Sequence, residues 1–100
     1  MNTHAIKKVT IIAESVLELK IIEDIKRLGA KGYTLIEVRG EGTKGRHASD
    51  WAGNSVKIET LVTDLVAEAI LQRMADEYFE YYAIVAFVEN VTVVRQEKFS

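Results

Sequence analysis

The sequence contains neither cysteine nor proline. Without thiols the chain can form no disulfide, no thiolate nucleophile and no cysteine-ligated metal centre. Without proline, no element is interrupted by a missing backbone amide. Histidine is almost as scarce, at His4 and His47 only. His4 sits near the start of the chain and is not a credible ligand, and His47 is read as pointing into water. Long apolar runs are also missing, and nothing approaches the ~20 residues needed to cross a bilayer. Residues 1–8 are polar and lack the apolar segment of a signal peptide, so a cytoplasmic protein is expected. The charge imbalance is slight, with 13 Lys and Arg against 15 Asp and Glu, a net −2. That excludes the broad basic field of a general nucleic-acid binder and leaves room for a local anion site.

What remains is an ordinary globular balance, 48% hydrophobic and 28% charged over 100 residues, enough for one core and one domain spanning residues 1–100. Residues 7–13 (Lys-Lys-Val-Thr-Ile-Ile-Ala) form a β-branched run that predicts a strand. Ser15 lies three residues before Glu18, the spacing of a capping box. Leu17, Ile21, Ile22, Ile25 and Leu28 follow at helical spacing, with Lys20, Glu23, Asp24 and Lys26 on the other face. Gly29 suits the position that closes such a helix.

Two alternating segments come next. Thr34, Ile36 and Val38 share one face of the first; Val56, Ile58, Thr60 and Val62 share one face of the second, with Lys57, Glu59 and Leu61 opposite. Thr63 can cap a second helix striped by Val66, Ile70, Leu71, Met74 and Tyr78. Residues 82–88 form the most continuously apolar strand, expected at the centre of the sheet, and residues 91–94 a short edge strand or tail. The order βαββαβ points to an α+β, ferredoxin-like sandwich with both helices on one face of an antiparallel sheet. Strands one and four look apolar on both faces, which predicts burial against further copies and a homo-oligomeric ring.

The hairpin connection, residues 39–54, far exceeds the usual two to five residues. It carries Gly40, Gly42, Gly45 and Gly53, the cations Lys44 and Arg46, and the hydroxyls of Thr43 and Ser49. Glycine-rich backbone with nearby cations can cradle a phosphate; the same composition also suits a solvated hairpin tip. The spacing is not that of a Walker A motif. Trp51 must cover something apolar, in its own subunit, a partner or a ligand. Glu37 and Glu59 could face each other across the hairpin, with Arg39 and Lys57 as ion-pair partners. Tyr78-Phe79-Glu80-Tyr81-Tyr82 reads as core closure. No nucleophile with a base and an orienting third group is evident, so no enzyme is expected.

These residues resemble a known family. Ala30-Lys31-Gly32-Tyr33-Thr34, then Arg39-Gly40-Glu41-Gly42, a long loop, Val56-Lys57-Ile58-Glu59 and Tyr78-Phe79 before the last core strand are together similar to the PII-like signalling proteins. The similarity is greatest to their bicarbonate-linked branch, the carboxysome-associated and SbtB-like proteins. The resemblance implies a homotrimer of ferredoxin-like subunits with a T-loop at residues 40–54. It also implies a non-enzymatic sensor of adenine nucleotides, AMP or ADP, with bicarbonate as a second candidate ligand and no catalytic cofactor.

By position, Gly32, Tyr33 and Thr34 would border the adenine. Arg39, Gly40 and Gly42 would approach the phosphates with Lys44 and Arg46 near them, and Glu89 and Arg95 would close the cleft from a neighbouring subunit. Candidates for bicarbonate are Lys44, Arg46, Ser49 and Trp51. The implied partner is a protein such as a bicarbonate transporter or a carboxysome-related protein, engaged through the T-loop. Two features depart from relatives: Lys44-Gly45-Arg46-His47-Ala48-Ser49 stands where others carry a basic pair and a serine pair, and no cysteine-containing redox tail is present. The alternative is a small metal-binding or catalytic trimer of the same fold, like the copper-tolerance proteins, for which the absence of cysteine leaves few soft ligands.

Overall fold

The computed structural model describes residues 2–39 and 54–94. The elements run β1 (His4–Glu14), a 3-10 turn (Ser15–Leu17), α1 (Glu18–Leu28), β2 (Thr34–Val38), β3 (Ser55–Val62), α2 (Asp64–Glu77) and β4 (Val85–Val93). All three strand pairings are antiparallel, and the sheet order is β2-β3-β1-β4. This is the expected βαββαβ sandwich.

Register explains the core. Val9, Ile11 and Ala13 lie opposite Thr60, Ile58 and Val56, and since directly opposed residues share a face, one side of the central pair is almost wholly apolar. Ile21, Ile22 and Ile25 of α1 and Ala67, Ile70 and Met74 of α2 close over that side in one cluster. Gly29 ends α1 at φ 122, with its amide bonded to Ile25 O and Lys26 O, a conformation that a Cβ would strain. Thr63 caps α2 by accepting from the Val66 amide, as its sequence position suggested.

Four sequence expectations are corrected. The capping box does not form: the chain enters α1 through the 3-10 turn, and neither start carries a side-chain cap. The tighter turn leaves Ser15 and Glu18 out of capping-box geometry. Asp24 is not on the outer face of α1. It is 2% exposed, because Arg27, Arg73 and Tyr78 converge on its carboxylate. The last strand is not central. Among the described residues it pairs with β1 alone, at the sheet edge, and residues 91–93 continue it instead of forming a separate element. Its unbroken apolar run reflects a second face that the subunit itself leaves open. Glu37 and Glu59 do not face each other: Glu37 lies opposite Val56 and Glu59 opposite Thr34, so they occupy opposite faces.

The face away from the helices combines apolar and charged side chains. Ile36, Val85 and Phe87 are exposed on it, in keeping with the expected second apolar face of β4. Lys8 Nζ lies 3.7 Å from Glu59 and 3.5 Å from Glu89, and Lys57 Nζ 3.6 Å from the same Glu59 oxygen. The row therefore runs from β4 through β1 to β3. At this exposure each pair contributes little stability; its effect is to fix where the carboxylates stand.

Candidate functional site

The α1–β2 connection and the C-terminal half of β3 enclose a cleft of about 290 Å³ lined by Lys31, Gly32, Tyr33, Thr34, Glu59, Thr60 and Leu61. Its position follows from the fold. Gly29 turns the chain off α1, the Ala30 amide bonds back to Ile25 O at 2.9 Å, and the β2–β3 ladder begins at Thr34 opposite Glu59. Between these anchors residues 31–33 belong to no strand, and the cleft opens beside them.

One polar contact, half-buried, ties its two walls together. Thr60, 2% exposed, donates its hydroxyl to the Gly32 carbonyl at 2.6 Å. On the rim, the Lys26 ammonium lies 5.8 Å from the centre of the Tyr33 ring, a cation–π contact that restrains an otherwise exposed tyrosine. Glu59 brings a carboxylate to the cleft wall, held by Lys8 and Lys57. The lining thus offers an aromatic ring, hydroxyls, backbone amides and carbonyls, one carboxylate and the Lys31 side chain, a mixed set suited to a flat heteroaromatic base.

A second, more polar cleft, also about 290 Å³, lies at the other end of β2 and is lined by Ser15, Glu37, Val38, Arg39, Asn54 and Ser55. The Ser15 amide donates to Asn54 O at 2.8 Å, tying the end of β1 to the start of β3. Arg39 stands here, five residues along the strand from Thr34, roughly 17 Å at strand rise.

The strongest internal electrostatics lie elsewhere, between the helices. Burial pushes the Asp24 carboxyl up, but hydrogen bonds from Tyr78 and Arg73, the Arg73 charge and the Arg27 hydrogen bond outweigh it and hold the group below its ordinary value. Burial, and then the bond to Asp24, push the Tyr78 phenol up. The bond to Asp24 raises Arg73. This cluster braces α1 against α2, and none of its members lines the cleft.

Residues 6–98 match the family model for nitrogen regulatory protein P-II. The chain belongs to the P-II family. Among solved structures it is similar, over the whole of both chains, to one described as a PII-like signalling protein from Thermus thermophilus, with 52% identity and a TM-score of 0.86. It is also similar to CPII of Thiomonas intermedia bound to ADP, AMP and acetate, at 27% identity and TM-score 0.85, covering 99% of this chain and 98% of that one. The same CPII bound to ADP and bicarbonate gives 26% identity, TM-score 0.85 and the same coverage. The PII-like resemblance read from the sequence is therefore correct at the level of the family.

Of the P-II site residues expected from sequence, Gly32, Tyr33 and Thr34 come together on one cleft. Arg39 lies in the other. Glu89 is on β4, joined to the first cleft among the described residues through Lys8 and Glu59. Gly40, Gly42, Lys44, Arg46, Ser49, Trp51 and Arg95 lie outside the described residues. Sequence reasoning missed Lys31, Glu59, Thr60 and Leu61 as lining. Thr60 carried a signal that could have been used: a hydroxyl in an otherwise apolar inward row.

Proposed function

We propose that this P-II-family protein is a non-enzymatic regulator that binds an adenine nucleotide of the AMP or ADP type, with its base in the cleft of Gly32, Tyr33 and Thr34. The observation that carries the reading is that cleft, formed by the three residues to which the family resemblance assigns the base and backed by Glu59 and Thr60. The CPII relative bound to ADP, AMP and bicarbonate supports the ligand class.

The working form is a homotrimer. Within one subunit the base cleft and Arg39 stand at opposite ends of β2, so a nucleotide that meets both an intact cleft and an Arg39 takes them from different copies. Exposed Ile36, Val85 and Phe87 on the open sheet face supply apolar area for association. Arg39, Gly40, Gly42, Lys44 and Arg46 serve the phosphates, and Glu89 and Arg95 approach from the neighbouring copy. Bicarbonate is the second ligand, taken by Lys44, Arg46, Ser49 and Trp51. The nucleotide favours one arrangement of residues 40–54, which engages or releases a protein partner of inorganic-carbon metabolism in the cytoplasm, such as a bicarbonate transporter or a carboxysome-related protein. A coupling on the order of 1–3 kcal/mol suffices for such a switch.

Calorimetry against AMP, ADP, ATP, cyclic AMP and bicarbonate tests this. Saturable heat with AMP or ADP, and recovery of the nucleotide unchanged, is the expected result. No heat with any of the nucleotides at millimolar concentration overturns the reading.

A further inference from the structure

We propose that Thr60 is a positioning residue for the base end of the cleft, acting through the Gly32–Tyr33 peptide; this rests on the nucleotide reading above. The helix-facing row of β3 is Val56, Ile58, Thr60 and Val62, all buried. Valine would fill the volume of Thr60, so packing alone gives no reason for a hydroxyl there, and an unpaired one would be costly. Its partner is the Gly32 carbonyl, 28 residues away in sequence at 2.6 Å.

Gly32 does not hold its own conformation. A Cβ there would meet nothing within 4 Å, and its φ is outside the left-handed region. Neither crowding nor strain calls for glycine, and glycine adds backbone freedom at the start of β2. The bond from Thr60 pins the middle of this stretch, between the Ala30 anchor on α1 and the ladder that begins at Thr34.

The consequence follows from the planar trans peptide. With the Gly32 C=O turned toward Thr60, the Tyr33 N–H of the same peptide points the opposite way, out from β3. Fixing this one peptide fixes the wall that Gly32, Tyr33 and Thr34 present to the cleft. Thr60 thus acts on the ligand through the placement of that wall, at the base end of the cleft and away from the phosphates.

The experiment measures ADP and AMP affinity by calorimetry for the wild type, Thr60→Val and Thr60→Ser, with the melting temperature of each free protein. Loss of one positioning hydrogen bond predicts that Thr60→Val binds both nucleotides roughly three- to tenfold more weakly, by the same factor for each. Thr60→Ser, which keeps the donor, should restore affinity while losing packing and melting temperature. Equal affinity of wild type and Thr60→Val, a Thr60→Ser as weak as Thr60→Val, or a loss confined to ADP each overturns the inference. Should Thr60→Val fail to fold, Thr60→Ser against Thr60→Ala is judged by the same criteria. Failure of the wild type to bind either nucleotide removes the nucleotide reading itself, and this inference with it. A wild type that binds beside an unaltered Thr60→Val removes only this inference.

Discussion

The Tyr78 hydroxyl donates a hydrogen bond to the buried carboxylate of Asp24, 54 residues earlier in the chain. The same carboxylate accepts from Arg27 at 2.6 Å and from Arg73 at 3.3 Å. Three donors from α1, α2 and the residue ending α2 thus converge on one carboxylate, and the helix pair is held by charge as well as by the isoleucines beneath it.

That cluster makes stability depend on pH at both ends. The Asp24 pKa is lowered in the folded state, so its contribution is present above the unfolded value of about 3.9 and lost as pH falls through the folded value. The Tyr78 pKa is raised, so its contribution is present below about 10 and lost as pH rises through the folded value. Urea midpoints at fixed protein concentration should form a plateau that declines at both extremes. Asp24→Asn should lower the plateau and flatten both declines; unchanged slopes would refute the assignment.

The two described glycines should respond in opposite ways. Gly29 sits at φ 122, and an added Cβ would come within 3.0 Å of a Val66 methyl. Gly29→Ala should therefore cost about 1–2 kcal/mol. Gly32→Ala meets nothing and should leave stability within about 0.5 kcal/mol. Chemical denaturation of both variants checks the contrast.

The open sheet face should govern assembly. Phe87 is 41% exposed there, and Phe87→Glu places a charge on that face two residues from Val85. Light scattering after size exclusion should find trimers for the wild type and a shift to monomers for the variant. A wild type that is monomeric at all concentrations would remove this expectation.

The separation of Thr34 from Arg39 can be tested by complementation. Thr34→Trp should obstruct the base cleft, and Arg39→Ala should weaken phosphate binding. If one nucleotide takes its base cleft and its Arg39 from different copies, co-assembled Thr34→Trp and Arg39→Ala subunits should regain a fraction of wild-type ADP sites. If both come from one copy, none return.

Much of this was legible in the sequence. Periodicity located both helices and the opposed faces of β2 and β3, and Gly29 and Thr63 announced helix ends through local backbone chemistry. What misled was information held in tertiary structure. Asp24 occupies a polar helix position by spacing, and its burial becomes tolerable when Arg73 and Tyr78, distant in sequence, join Arg27 on its carboxylate. The apolar run before and into β4 suggested a central strand, because sequence cannot tell a strand covered by its own subunit from one left open at an edge. In the site, Gly32, Tyr33 and Thr34 were reached through family resemblance, whereas Glu59, Thr60 and Leu61 join them through a β2–β3 register that no local pattern specifies.

The sheet order leaves β2 and β4 as outer strands, each with one side carrying no strand partner among the described residues. Such edges are templates for unintended strand addition, and β4 is long, with Val85, Phe87 and Val88 exposed. An isolated subunit is therefore a solubility hazard. Newly made chains face a race between finding sister copies and joining strands at random, so the colloidal behaviour of dilute protein should report directly on assembly.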